Sequence, residues 1–316
     1  MRAAVITAPG DVQVADVADP EPGPRDVVVE VAACGVCGTD LHILAGEFAP
    51  AVGRDVTEVA VGDPVAADPN MYCGECYYCR RGRGNLCERF AAVGVTHPGA
   101  AARYVSVPVA NCVRLPPHVE VADAVLIEPL SCALRGFDVL RRPVGDHYLI
   151  YGSGTMGLMM LQLAKRAGAA SVDVVDVNVE RLDAARRLGC TNAVSSAGAV
   201  DRSRGWDVVI DCTGAVAAIE DGLRRVGKGG TFLQFGVAAE QTVARWSPYR
   251  VYRDEITIAG SMAVLHSYER AAELFADGLV DPRILISDRY PLDDYARALA
   301  QVADGVGRKV VVCPAS

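Results

Sequence analysis

Cys73, Cys76, Cys79 and Cys87 are separated by two, two and seven residues, in a stretch dense with Gly, Arg and Tyr. Four thiolates at these spacings can close a tetrahedron around Zn2+ with no position left open, which makes such a site structural. The spacing would also admit an iron–sulfur cluster, but no other feature of the chain speaks for electron transfer. A second array, Gly152-Ser153-Gly154-Thr155-Met156-Gly157, directly follows the apolar run His147–Tyr151 and opens a helical pattern expected to begin near Leu158. Gly152 allows the tight turn, Gly154 lets backbone approach a pyrophosphate, and Gly157 allows close helix–strand packing. The N–H groups of the helix start, around Thr155 and Met156, face the anion. Further on, Asp176 ends the next strand run, where a carboxylate can accept both ribose hydroxyls and repel a 2′-phosphate. That favours NAD over NADP, a preference that Arg181 nearby softens. Thr213, Gly214, Gly236 and Val237, with Ser261 after the last strand run, are candidate walls of the same site.

These residues need a particular frame. Residues 1 to about 130 are rich in Val, Pro and Gly, with short runs such as Asp26–Val31 and Tyr104–Val107, the pattern of an irregular β-barrel. From His147 onward, apolar strand runs alternate with amphipathic stretches: Ser171–Asp176, Val179–Leu188, Asp207–Asp211, Ala215–Val226, Gly230–Phe235 and Glu255–Gly260. That alternation predicts an α/β, doubly wound parallel sheet. The last part mixes helix (Tyr268–Ala276, Leu292–Val302) with strand (Arg308–Val312). The expected division is a barrel domain of residues 1–134 and 267–316, with the zinc lobe at 73–87, and a dinucleotide-binding domain of residues 135–266.

The 316 residues are 51% hydrophobic and 22% charged, a mix suited to a packed core. Thirty-one Lys and Arg against 39 Asp and Glu give a net charge of −8, which argues against nucleic-acid and anionic-membrane partners. The N-terminus lacks the long apolar core of a secretory signal, and the richest apolar stretch, Leu149–Ala164, is broken by Gly, Ser, Thr and Gln. Six of the eleven Cys fall between Cys34 and Cys87, the rest singly, an uneven set that reads as reduced thiols. A cytoplasmic location is the expectation.

Cys34-Gly35-Val36-Cys37-Gly38-Thr39-Asp40-Leu41-His42 adds a further cluster. Taken alone, Cys37 and His42 are equally a buried thiol and a surface imidazole. Together with the four-Cys lobe, Glu128-Pro129-Leu130 and the glycine array, in that order, the motif resembles the zinc-dependent medium-chain alcohol dehydrogenase family over almost the whole chain. Glu128-Pro129-Leu130-Ser131-Cys132-Ala133-Leu134 looks most like its sorbitol- and xylitol-type polyol dehydrogenases. The resemblance implies a GroES-like barrel beside a Rossmann domain, and NAD- and zinc-dependent oxidation of a secondary alcohol or polyol to a ketone. It also implies Cys37 and Glu128 at a catalytic zinc, Thr39 taking the substrate proton, His42 passing it on, and Asp40 orienting. Family members pair into homodimers or homotetramers through the edge strand, here Glu255–Gly260 with Ser261–Ala263.

Two departures stand out. The family carries a Gly-His-Glu segment after the Cys motif, supplying a zinc-ligating His; here Gly46–Pro50 runs directly into Ala51–Val56, and none of the five His falls in its place. Catalytic zinc normally has three protein ligands. The gap therefore leaves open a zinc-free NAD(P)H-dependent quinone or enoyl reductase, or a degenerate dinucleotide-binding protein. It should also remove a barrel strand and leave its neighbours with unmet hydrogen bonds. The second departure is at Gly99–Val105, where the family's aromatic is absent and Arg103 replaces an acid, so local packing or the cleft should differ.

Overall fold

A computed structural model describes residues 1–8, 11–36, 47–140 and 144–314, and of these it gives no side-chain placement for residues 7, 8 and 47–52. The chain divides into two units, Met1–Ser131 with Val264–Ser316, and Cys132–Ala263.

The first unit opens with an antiparallel hairpin of β1 (Arg2–Ala8) and β2 (Asp11–Asp16). β3 (Asp26–Val31), β4 (Cys34–Val36), β5 (Glu47–Val52), β6 (Pro64–Ala67), β7 (Asn70–Met71), β8 (Ala91–Ala92), β9 (Tyr104–Pro108) and β10 (Cys112–Arg114) follow. Five of them form an antiparallel sheet in the order β10-β6-β5-β3-β9. Val27, Val29, Val31, Val65, Val105 and Val107 pack inside it, as expected of β-branched side chains on a pleated, half-buried surface.

β5 corrects the expectation of a lost barrel strand. Glu47–Val52, the chain that runs across the shortened segment, itself pairs with β3 and β6 and meets their hydrogen-bonding groups. Pro50 has no N–H to offer, and the register accommodates it: Val28 lies opposite Ala51 and Glu30 opposite Phe48, so Ala49 and Pro50 face Val29 together in a bulge.

The division between the units falls within α1 (Ile127–Asp138). The second unit runs β11 (His147–Tyr151), α2 (Thr155–Arg166), β12 (Ser171–Val175), α3 (Val179–Arg187), β13 (Asn192–Val194), β14 (Trp206–Asp211), α4 (Val216–Arg225), β15 (Val226–Gln234), α5 (Pro248–Arg253) and β16 (Thr257–Gly260). Its six strands are all parallel, in the order β13-β12-β11-β14-β15-β16. β11 turns to β12 on one side and lies against β14 on the other, so a crevice opens at the carboxyl ends of the strands. The central strands β11, β12 and β14 are buried on both faces, which is why they read as near-continuous apolar runs. Leu158 to Leu161 of α2 are wholly buried as well.

The chain then returns to the first unit with α6 (Tyr268–Ala276), α7 (Pro282–Leu285), β17 (Ile286–Pro291), α8 (Tyr295–Ala303) and β18 (Lys309–Cys313). β18 lies parallel to β17 and antiparallel to β4. Val36, Leu292, Tyr295, Ala298, Val310 and Val312 form its core.

Candidate dinucleotide and metal sites

In the second unit, the loop after β11 is shaped by its glycines. Gly152 has φ +95°, a conformation that L side chains rarely adopt, and its N–H donates to the Val175 carbonyl (2.7 Å). A Cβ on Gly157 would stand 1.7 Å from the Gly152 carbonyl oxygen, so only glycine lets α2 come this close to the strand. α2 begins at Thr155, a turn earlier than the apolar pattern at Leu158 suggested, with Gly154 as its N-cap and no side chain capping it. Around Gly154 the space is open: the one atom within 4 Å of a Cβ there would be Arg181 Nη1, at 3.8 Å. Tight behind and open in front, this helix start presents uncapped N–H groups and the positive dipole end.

Asp176 follows β12 and is buried. Its Oδ2 accepts from the Ser153 N–H (2.6 Å) and hydroxyl (2.9 Å), and Oδ1 from the Asn178 N–H (2.8 Å). The carboxylate thus pins the glycine turn, while Oδ1 keeps a second lone pair. Asn178 accepts from the N–H groups of Glu180 and Arg181, which caps α3 and fixes the backbone that carries Arg181.

Asp211, at the end of β14, is wholly buried and was not singled out from the sequence. Its carboxylate accepts from the Thr213 N–H (3.0 Å) and hydroxyl (2.6 Å), the Gly214 N–H (2.9 Å) and the Gln234 side-chain amide (2.8 Å). Gln234 also donates to the Gly236 carbonyl (2.7 Å). One carboxylate therefore gathers the loops after β14 and β15. The approach is close: a Cβ on Gly236 would lie 2.4 Å from the Gly214 nitrogen, and one on Gly214 (φ +70°) 2.2 Å from the Val237 carbonyl oxygen. The Val237 side chain itself is 91% exposed. Just beyond β16, the Ser261 hydroxyl is buried and has no hydrogen-bond partner among the described residues. A buried hydroxyl without a partner costs free energy that a ligand's polar group would relieve. The open helix start, the glycine floor and this orphaned hydroxyl fit a dinucleotide.

In the first unit, the four sulfurs of Cys73, Cys76, Cys79 and Cys87 all lie within 4.8 Å of one another. The pairs Cys73–Cys79 and Cys76–Cys87 are 3.9 Å apart and Cys73–Cys87 3.5 Å. A tetrahedron with Zn–S bonds of about 2.3 Å has edges of about 3.8 Å, so the donor set fits zinc. Backbone N–H groups of Cys76, Cys79, Cys73 and Arg89 point at the sulfurs of Cys73, Cys76 and Cys87 (3.3–3.5 Å). The Glu75 N–H is the main cause that pulls the Cys73 thiol down to about 6, whereas burial, and after it the hydrogen bond with Cys76, pushes Cys79 up to about 12. Tyr72 packs on Gly84, where a Cβ would be 2.7 Å from its ring, and donates its hydroxyl to the Val264 carbonyl (3.0 Å).

Cys37, Thr39, Asp40 and His42 lie outside the described residues. Glu128 opens α1, its carbonyl accepting from the Ser131 hydroxyl (2.6 Å). Asp68 is raised to about 6, chiefly by burial and in smaller part by the Glu128 charge, against hydrogen bonds from Asn70. Sequence reasoning also passed over Lys309, a lysine only 4% exposed. It packs on Gly35, where a Cβ would fall 2.4 Å from Nζ, so a side chain there would push the lysine head aside. Arg103 pairs with Glu30 on the neighbouring strand (3.2 Å) and stands over the Tyr104 ring.

The family described as alcohol dehydrogenase GroES-like domain matches residues 23–117, and that described as zinc-binding dehydrogenase matches residues 155–277. D-arabinitol dehydrogenase 1 of Uromyces fabae is 32% identical over 315 residues, covering 92% of this chain and 90% of that protein. L-threonine 3-dehydrogenase of Streptomyces coelicolor is 34% identical over 329 residues, covering 94% of each. Among solved structures, a zinc-binding dehydrogenase of Sinorhizobium meliloti bound to NADP superposes with a TM-score of 0.94 at 30% identity, covering 99% of both chains. The chain belongs to the zinc-type medium-chain alcohol dehydrogenase family. Among the described residues, no helix is long and apolar enough to cross a membrane.

Proposed function

We propose that this protein oxidises a secondary hydroxyl of a polyol or small alcohol to a ketone, with NAD as the hydride acceptor. The observation that carries the reading is the uncapped, glycine-floored start of α2, with the Asp176 carboxylate on one side and the orphaned Ser261 hydroxyl on the same unit. Gly152, Gly154 and Gly157, with the N–H groups of Thr155 and Met156, would bind the pyrophosphate; Asp176 and Arg181 would hold the adenosine ribose. Thr213, Gly214, Gly236 and Val237 would line the rest, kept in place by Asp211. NAD bound here supplies the redox step.

At the other reacting group, Thr39 would hold the substrate hydroxyl proton, His42 would move it towards solvent, and Asp40 would orient the pair. Cys37 and Glu128 are the residues that would hold a catalytic zinc, whose Lewis acidity lowers the pKa of a bound hydroxyl. The four-Cys lobe would hold a second, structural zinc. We assign dinucleotide binding to residues 135–266 and the alcohol site to residues 1–134 with 267–316. A cytoplasmic homodimer or homotetramer paired along β16 completes the proposal.

The test is NADH absorbance on mixing the zinc-loaded protein with NAD and a panel of polyols that includes D-arabinitol. Turnover that disappears in Cys37→Ser supports the reading. Turnover that survives Cys37→Ser overturns the zinc mechanism, and reduction of quinones or activated alkenes in place of alcohol oxidation overturns the function.

A further inference from the structure

The second unit has a cavity of about 370 Å³ beneath the amino ends of β14 and β15, within the roughly 300–1,000 Å³ range of ligand pockets. The dinucleotide residues sit at the carboxyl ends of the same strands. From Trp206 to Asp211 the strand rises about 17 Å, so the two places are separate.

Six cationic side chains line this cavity against two carboxylates, Asp201 and Asp254. Three of the cations are committed. Arg224 and Arg225 pair with Asp221, and Arg250 donates to the carbonyls of Leu223 and Val226 while facing Asp254 (3.4 Å). Asp254 is taken up by Arg253 as well (2.8 Å). The side chains of Arg202, Arg204 and Lys228 make no hydrogen bond or ion pair among the described residues, with Lys228 near enough for its charge to help lower Asp254, and Asp201 is the one acid of the lining without a partner.

Glycine backbone holds these cations together. Gly205 has φ +74°, and a Cβ there would lie 2.7 Å from the Gly227 nitrogen; a Cβ on Gly227 would lie 2.6 Å from the Arg204 carbonyl oxygen. The loop with Arg202 and Arg204 is thereby pressed against the turn that carries Lys228, closer than any side chain would allow. Gathering like charges is unfavourable unless an anion joins them. It occurs here in a chain whose net charge is −8. At physiological salt, charges beyond about 8 Å are largely screened, so the local cluster governs what enters.

We propose that this cavity binds a compact polyanion of two or three linked phosphoryl groups, free or as the tail of a nucleotide. Arg204 and Lys228 would clamp it from the two loops, Arg202 would close the side, and buried Trp206 would report its arrival.

The experiment titrates tripolyphosphate and, separately, ATP into the full chain saturated with NAD, by calorimetry and tryptophan fluorescence. One equivalent should bind, roughly tenfold more weakly in Arg204→Ala and in Lys228→Ala, and beyond detection in the double variant. NAD affinity and thermal midpoint should stay as in the unmodified protein, since both side chains are exposed. Equal affinity for tripolyphosphate and ATP assigns free polyphosphate, and tighter ATP binding assigns a nucleotide. No binding at millimolar probe in low salt, or binding unchanged in the double variant, overturns the proposal.

Discussion

Replacing Gly157 with Ala tests the cofactor cradle at its narrowest point. The added Cβ would meet the Gly152 carbonyl oxygen at 1.7 Å, against the 3.0 Å below which real Cβ contacts are essentially unknown, so helix and turn must part by at least 1.3 Å. α2 cannot slide freely, because Leu158, Met159, Met160 and Leu161 are wholly enclosed. Such overpacking costs about 1–3 kcal/mol, and the better helix propensity of Ala returns at most about 1 kcal/mol. A net loss of about 1–2 kcal/mol should lower the melting midpoint of a chain this long by roughly 2–4 °C. The larger effect falls on the cofactor. Moving the first-turn N–H groups by more than an ångström stretches one or two charge-assisted bonds, each worth about 1.5–3 kcal/mol, so NAD should bind about 10- to 100-fold more weakly. Calorimetric titration of NAD beside a thermal melt reads both effects. Gly198→Ala is the control: its Cβ would have an ordinary 3.7 Å contact with the Ser196 hydroxyl, and neither value should move. A Gly157→Ala protein that binds NAD and melts like its parent would refute the close packing of strand and helix.

Three further outcomes follow from the same geometry. Asp176→Asn keeps an acceptor for Ser153 but removes the negative charge, so the preference for NAD over NADP should fall roughly tenfold with Arg181 left in place; KM for the two cofactors measures it. Cys79→Ser should lower bound zinc by one equivalent per chain by mass spectrometry, and should lower the melting midpoint by more than Gly157→Ala does, because a closed thiolate site contributes folding energy outright. Folded Asp68 keeps its proton up to about pH 6, whereas the unfolded chain releases it near 3.8, so the folded state binds more protons in between. Stability should therefore decline as pH rises from about 3.8 to 6, and urea midpoints for Asp68→Asn should lose that slope.

What could be read from the sequence was local. The strand run His147–Tyr151, the glycine array and Asp176 are neighbours along the chain, and the tight turn at Gly152 and the close packing at Gly157 follow from backbone sterics. The four-Cys spacing is equally local, and its sulfurs do converge. The start of α2 was set three residues late because Thr155, Met156 and Gly157 precede the apolar periodicity and helix there is decided by the glycine turn. β5 escaped notice because Pro50 interrupts a short run, and only the bulge opposite Val29 makes a proline tolerable in that strand. Asp211 and Gln234 stand on different strands, and nothing near either signals that one carboxylate will collect four donors from both loops. Lys309 was invisible for the same reason: its neighbour Gly35 lies at the opposite end of the chain.

The most direct test of the account follows the hydrogen itself. A polyol deuterated at its secondary carbinol carbon is incubated with the zinc-loaded protein and NAD, and the reduced cofactor is weighed by mass spectrometry. Hydride transfer predicts NADH one mass unit heavier, with the ketone formed in equal amount. Reduced cofactor without the label, or none at all from a protein that binds NAD, would contradict it.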